Sequence, residues 1–376
     1  MCMKQLAPVV FVVFAACVCV PCTSPAGEKN NAQPQNRTKP VDRAGLPYRV
    51  HVVEDYETGI ERRWWLAGKE ETKDLPPSRS PHLANRRCCR ATLTRDFDRK
   101  MGDQSLRYKA VIFNPVPGPP MGSRTRLSFR YKLQGTDRLK VQIYSLTNGY
   151  HRHAWLTGLP RDKWQAATVD MTAARRPDGS GGPLSADERI DDIQFYIDPR
   201  SELLIDDIVL YDEAAAGEKR PFPRRPIFTG WFDTGKQGQE WPGDFEIVLH
   251  EKPLTWDAAR SVKNRQTGRP WIRVSMRGPR PLGRRTQLRF RYRVKGARAM
   301  EVVLVSSKSN RRWTATAENL VEGKWTETTL SFDTAPPADK DTPPRPLDPV
   351  PVADEIHFLL PAGAELWADD LLLLEP

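Results

Sequence analysis

The chain has few cysteines, no long helical pattern and no apolar run long enough to cross a bilayer. Six cysteines occur in 376 residues, and four of them fall at positions 2, 17, 19 and 22. That leaves Cys88 and Cys89, adjacent in sequence, where an ordinary disulfide is geometrically poor. They read either as incidental thiols or as a redox or intermolecular pair. No Ser-His-Asp or Cys-His set, Gly-rich phosphate loop or CxxC pair stands out from background. The absence of helical periodicity, together with 34 prolines placed mostly between alternating segments, argues against a helical protein and for an all-β one.

The apolar stretch Leu6–Val20 is too short, and too closely flanked by small residues, to be a transmembrane helix. With Lys4 before it and Ser24-Pro25-Ala26 after it, it has the form of an export signal. Residues 1–26 therefore read as a signal peptide and 27–47, rich in Asn, Gln and Pro, as a disordered tether. Phe14-Ala15-Ala16-Cys17 resembles the box that precedes a lipidated cysteine, which gives a second reading of the leader. The chain is expected to be secreted, periplasmic or attached to the cell envelope.

Positive charge exceeds negative by 11, and arginine pairs such as Arg62-Arg63, Arg224-Arg225 and Arg311-Arg312 are scattered without a dense block. Scattered charge makes a solvated surface and a weak attraction to polyanions. Export sets nucleic acid aside as a partner.

The strongest feature is a repeat. Arg124–Thr168 recurs without a gap at Arg285–Thr329, with Trp164 answering Trp325, and 14 of the 45 positions are identical. A second echo relates Ile190–Leu210 to Ala353–Leu373. Leu127, Phe129, Tyr131 and Leu133 alternate with polar residues, as do Leu288, Phe290, Tyr292 and Val294, which predicts strands with one buried and one wet face. Trp164 and Trp325, each at the start of a strand, read as core. The fold class is all-β, two tandem antiparallel jelly-roll β-sandwiches. The boundaries are 48–212 for copy one, 213–225 for a linker and 226–376 for copy two.

Four landmarks recur in order in both copies. They are an acidic-aromatic opening (Glu54–Gly59; Trp231–Gly235), Gly102–Leu106 answered by Gly268–Ile272, the Leu-x-Phe-x-Tyr strand with its later Lys-Trp, and a closing Asp-Asp-Ile-Val-Leu or Asp-Asp-Leu-Leu-Leu. This order resembles the galactose-binding-domain-like jelly rolls, a fold shared by many carbohydrate-binding modules of secreted bacterial proteins. The resemblance implies a structural Ca2+ where the first strand meets the last, held by Glu57 and Asp206 in copy one and Asp233 and Asp369 in copy two. Parity puts Asp206 on the face of Ile208 and Leu210, pointing inward, with Asp207 and Asp370 pointing out. It also implies a polysaccharide or other glycan as partner, without naming it.

Three constellations could carry chemistry. Tyr150-His151-Arg152-His153 has the residue types of a polysaccharide lyase or, through His-x-His, a metal site, and its position between strands reads as a surface loop. The Asp-Asp pairs could be hydrolytic carboxylates, but their presence in both copies favours structure. Aromatics in inferred loops or on outward parity could stack on sugars: Trp64, Trp65, Tyr144, Tyr150 and Trp155 in copy one, and Trp241, Trp256 and Trp313 in copy two. The reading adopted is a non-catalytic glycan-binding protein, suited to acidic chains. A lyase or hydrolase with copy one catalytic, and a cell-surface interaction module that binds no sugar, stay open.

Overall fold

The computed structural model describes residues 49–59, 65–78, 85–94, 108–122, 124–183, 188–213, 225–249, 257–334 and 351–376. The expected signal peptide and tether, Cys17, Gly102–Leu106, Trp64, Trp256 and linker residues 214–224 lie outside the described residues. Copy one contains β1 (Arg49–Glu54), β2 (Trp65–Ala67), β3 (Lys69–Glu71), β4 (Cys88–Arg90), β5 (Thr92–Leu93), β6 (Lys109–Phe113), β7 (Pro120–Met121), β8 (Thr125–Gln134), β9 (Leu139–Ser145), β10 (Tyr150–Leu156), β11 (Gln165–Asp170), β12 (Glu188–Ile197) and β13 (Glu202–Asp212). Copy two contains β14 (Arg225–Gly230), β15 (Gly243–Asp244), β16 (Glu246–Leu249), β17 (Asp257–Arg260), β18 (Val262–Lys263), β19 (Pro270–Pro281), β20 (Gln287–Lys295), β21 (Met300–Ser306), β22 (Arg311–Ala317), β23 (Thr326–Ser331), β24 (Val352–Leu359) and β25 (Glu365–Glu375).

Each copy folds as two antiparallel sheets face to face. In copy one the order β11-β8-β13-β4-β3, with β1 added on β13, faces the order β10-β9-β12-β6-β2. Copy two repeats this as β16-β17-β25-β20-β23, with β14 on β25, facing β15-β19-β24-β21-β22. No strand of one copy pairs with a strand of the other in these sheets. The alternation read from sequence fills each core. Leu127, Phe129, Tyr131 and Leu133 lie in one cluster and Leu288, Phe290, Tyr292 and Val294 in the other, all buried. Edge-to-face pairs, Phe129 on Phe195 and Phe290 on Phe358, occupy the same place in both.

The expected wet faces of β8 and β20 are a correction. Ser128, Arg130 and Arg289 are buried. Arg130 donates to Asp207 and Arg289 to Glu327, so the polar side chains survive burial by pairing. Trp164 and Trp325 are a second correction. Both are half-buried, outside the core clusters, and Arg291 lies 5.8 Å from the Trp325 ring centre.

Parity also fails near the middle of each last strand. A register shift falls between Asp206 and Val209 in β13, and another opposite Arg289 and Arg291 in β25. Asp207 and Asp370 take left-handed backbone angles, each with φ 50°. Such a bulge inserts one residue and resets the alternation. Ile205 and Ile208, three apart, accordingly share the core, and Asp206 cannot be assigned to the face of Ile208 by counting.

Cys88 and Cys89 are free and wholly buried on β4. Burial, the larger cause, and nearby carboxylates push both thiols well above the usual range. Since the thiolate is the reactive form, the redox or intermolecular reading has no accessible nucleophile. Neither thiol is expected to react with an exchangeable disulfide reagent in the native protein, and both should react on unfolding. Stoichiometric native labelling would overturn this.

Candidate functional site

The outer face of the β10-β9-β12-β6 sheet of copy one gathers aromatics, amides and imidazoles in register. Leu139, Val141 and Ile143 point into the core, so Lys140, Gln142 and Tyr144 lie on the opposite face, where Lys140 and Gln142 are nonetheless buried and Tyr144 half-buried. Cross-strand pairing sets Trp155 opposite Lys140, His153 opposite Gln142 and His151 opposite Tyr144. On the other side Tyr196 lies opposite Lys140 and Gln194 opposite Gln142. Trp155 is 44% exposed, the largest exposed aromatic surface among the described residues, and the Arg138 guanidinium lies 5.0 Å from its ring centre. Tyr196 packs edge-on to Tyr108, and Tyr144 edge-on to His151.

A short amide chain ties the platform together. Gln142 Nε2 donates to Gln194 Oε1 at 2.7 Å, and Tyr196 Oη donates to the same oxygen at 3.0 Å. Gln194 Nε2 donates to Asp192 Oδ2 at 2.9 Å. These bonds fix the row of side chains next to the row of Trp155, Lys140 and Tyr196, whose two aromatics stand two strand spacings or roughly 10 Å apart. Gln142 and Gln194 are themselves buried, so what the arrangement offers at the surface is the ring face of Trp155 beside Arg138 and the partly exposed Tyr196 beside Lys140.

Copy two does not reproduce it. The residues equivalent to Lys140, Gln142 and Tyr144 are Glu301, Val303 and Val305, and those equivalent to His151, His153 and Trp155 are Arg312, Thr314 and Thr316. Trp271 alone offers a large aromatic, edge-on to His357. Arg273 donates to Asp244 at 3.0 Å and to Glu355 at 2.6 Å, so this face is closed by its own ion pairs.

Tyr150–Trp155 is not a loop but most of strand β10. Period two therefore splits the lyase-like constellation. His151 and His153 face outward, while Tyr150 and Arg152 face the interior side. Arg152 is buried and fully engaged. Its Nε donates to Glu188 at 2.9 Å, its Nη1 to the carbonyls of Ala174 and Gly182, and its Nη2 to Tyr150 Oη at 2.8 Å. Tyr150 is covered in turn, with the Arg176 guanidinium 3.7 Å from its ring centre. Arg152 is too buried to meet a uronate, and Tyr150 is half-buried with its hydroxyl and ring taken by Arg152 and Arg176, so the lyase set is corrected to a structural one and Tyr150 is not a free stacking face.

Two further aromatics are corrected. Trp241 is buried against Trp231 and Phe232, with its indole N–H donating to the Thr234 carbonyl. Trp313 is half-buried against the core of copy two, because it has the inward parity of β22. Trp65 begins β2. Of the predicted stacking residues the fold brings Tyr144 and Trp155 onto one face. Sequence reading missed Tyr196, Gln142 and Gln194, which only strand pairing places beside them.

The four acidic residues expected to hold Ca2+ lie at the contact between the copies, each set filled by an arginine of the other copy. Arg49 opens β1 and Arg225 opens β14, at equivalent positions: each pairs with the end of its own last strand. Arg49 reaches into copy two, where it ion-pairs Asp233, donates to Asp370 Oδ1 at 2.7 Å and lies 3.9 Å from Asp369. Arg225 reaches into copy one, 3.5 Å from both Asp55 and Asp207. Burial opposes both charged guanidiniums, and the carboxylates outweigh it, so both are held above their usual range. Val50, Val209 and Tyr211 pack on Leu372 and Leu374 beside them. This contact covers Asp207 and Asp370, which parity had placed in solvent.

The donor set fits a cation only in part. Asp206 Oδ2 and both Asp369 oxygens are buried without a hydrogen-bond donor, and burial together with the adjacent Asp207 or Asp370 charge pushes each carboxyl up. Glu57, however, already accepts from the backbone N–H groups of Arg86 and Arg87 at 2.7 and 3.0 Å. Asp233 accepts from the Asp257 N–H and from Arg49. Among the described residues no group of three or more acidic, histidine or cysteine side chains is placed to hold a metal. With guanidiniums between the carboxylates, these residues fit a Ca2+ ion poorly.

No protein-family model matches the chain, and no curated protein matches it. Solved structures with a similar arrangement include a tandem pair of family 22 carbohydrate-binding modules from Paenibacillus barcinonensis, 12% identical, covering 86% of this chain and 96% of that one, with a TM-score of 0.28. A family 11 carbohydrate-binding module from Clostridium thermocellum is 18% identical over 45% of this chain and 98% of its own, with a TM-score of 0.29. A mutant family 29 carbohydrate-binding module complexed with cellulohexaose is 11% identical over 40% of this chain and 92% of its own, with a TM-score of 0.27. The assignment of two antiparallel sandwiches rests on this chain's own strand pairing.

Proposed function

We propose that the protein is a non-catalytic glycan-binding protein acting outside the cytoplasm, and that copy one binds through the Trp155–Tyr196 platform. The observation that carries the reading is the registered face of Trp155, Tyr196 and Tyr144 around the Gln142–Gln194 amide pair. Aromatic faces supply apolar contact to sugar rings, and the buried amide pair fixes the strands that carry them. The leader read from sequence supports export, by cleavage after Ala26 or by lipidation at Cys17. No helix among the described residues is long and apolar enough to cross a membrane.

The test is titration of the whole protein with neutral and acidic oligosaccharides. Trp155→Ala and Tyr196→Ala are each expected to weaken binding roughly tenfold, the usual cost of an anchoring aromatic. Trp271→Ala, on the equivalent face of copy two, should leave it nearly unchanged. Binding that followed Trp271 and ignored Trp155 would overturn the assignment. No binding to a broad panel would favour the interaction-module reading.

A further inference from the structure

A cleft with a cavity of about 90 Å³ opens where the two copies meet, lined by His51 and Glu54 of copy one and by Trp231, Trp241, Arg277 and Arg280 of copy two, among others. At roughly 10–15 Å³ for each water, it has room for several waters or for the end of one sugar ring. One wall is aromatic. The indole N–H groups of Trp231 and Trp241 are turned away to the carbonyls of His51 and Thr234.

The arginines stand on an irregular stretch of β19, where the register shifts between Ser275 and Arg280. Arg277 takes φ 57°, a left-handed angle that suits glycine and strains arginine. Copy one has the same interruption between β6 and β7, but with Val116 and Pro119 at the equivalent places and no charge from Pro115 to Pro120. The bulge therefore does not need arginine. Arg280 has no carboxylate partner among the described residues. Its Nε and Nη2 reach the Met276 carbonyl at 3.4 Å, and its Nη1 is buried with no acceptor. Buried donors normally find acceptors, and one that does not asks for an explanation. Glu54 is the acidic group in the lining, and one of its oxygens accepts the Tyr56 N–H at 2.7 Å. His51 is bonded to Asp212 at 3.1 Å.

We infer that this cleft is a second saccharide subsite, which takes the anionic residue of an acidic glycan, with Arg277 and Arg280 donating to its carboxylate or sulfate oxygens. Guanidinium groups bind such oxygens through paired, charge-assisted hydrogen bonds, and the largely buried Trp231 and Trp241 form the floor behind them. The cleft draws on both copies and so exists only in the assembled chain. The inference rests on the glycan-binding reading above and gives it a ligand class.

The test uses the full chain, titrated with trigalacturonate, a sulfated trisaccharide and neutral cellotriose. Arg277→Gly removes the guanidinium while giving the left-handed position the residue it favours, so its melting temperature should not fall. Arg280→Gln is the second variant. Each is expected to weaken binding of trigalacturonate, the sulfated sugar or both by roughly tenfold, the value of one charge-assisted bond, with cellotriose unchanged. Which anionic probe responds separates carboxylate from sulfate recognition. If cellotriose binds through Trp155 while both anionic probes ignore the two arginines, the cleft proposal falls and the platform stands. If the anionic probes bind through the arginines and cellotriose does not bind at all, the platform falls and the cleft stands.

Discussion

Replacing Arg225 with alanine is expected to destabilise the sandwich to which Arg225 does not belong. The guanidinium lies among Asp55, Asp206, Asp207 and Glu57 of copy one and is buried there. Removing one partner of a buried pair leaves uncompensated charge, which typically costs about 3–5 kcal/mol. For units of this size each kcal/mol lowers the melting temperature by about 2–4 °C, so a fall of roughly 10 °C should be read by calorimetry. Hydrogen exchange should locate the loss in β4, β8 and β13. Arg49→Ala should do the reverse, loosening β20 and β25 around Asp233, Asp369 and Asp370. Arg225→Lys keeps the charge without the planar fork and should recover only part of the loss. Adding Asp207→Asn to Arg225→Ala should recover some as well, because it lowers the unpaired charge. Chelators should leave the melting temperature unchanged. A chelator-induced fall, or an Arg225→Ala loss confined to β14 and its neighbours, would defeat the exchanged-arginine account.

Arg152→Ala should cost about as much, again about 3–5 kcal/mol, because Glu188 is wholly buried and Arg152 is its charged partner. The pair also predicts a pH dependence. Burial tends to raise the Glu188 carboxyl, but hydrogen bonds from Ser145 and Arg152 outweigh it and hold the group below its ordinary value of 4.5. A depressed acid binds its proton more weakly in the folded state than in the unfolded one. Its contribution is therefore present above pH 4.5 and is lost as pH falls below that value toward the folded-state pKa. Acid unfolding of the wild type should show this limb, and Arg152→Ala should flatten it. Arg152→Met combined with Glu188→Leu should restore most of the stability, since two apolar groups leave no buried charge. Measuring glycan cleavage alongside separates this from the lyase reading. A variant that kept its melting temperature but lost a cleaving activity would return Arg152 to catalysis.

In the proposed glycan-binding role, the exchanged arginines would also set how a polymer is met. With β1 in contact with β14 and Val50, Tyr211, Leu372 and Leu374 packed between the copies, the proposed platform and cleft would be held in one relation. Fixing two subsites in advance saves the ordering entropy that a flexible linkage would lose on binding.

The sequence by itself determined the repeat, the all-β class and the residues that fill each core. These follow from period two and turn residues, which are local properties: Leu127-x-Phe129-x-Tyr131 has to bury one side wherever the strand ends up. It also supplied Trp155 and Tyr144 as outward-facing aromatics. Tertiary structure alone decided the rest. A one-residue bulge at Asp207 or Asp370 resets parity, and no count along the chain shows it. The burial of Arg130, Asp207 and Arg225 depends on one copy covering the other. Tyr150 and Trp241 read like Trp155 in sequence, but a neighbouring guanidinium covers one and the second core encloses the other. The platform joins three strands, β9, β10 and β12, and the cleft joins two copies, so both are set by pairing register and packing between residues far apart in the chain.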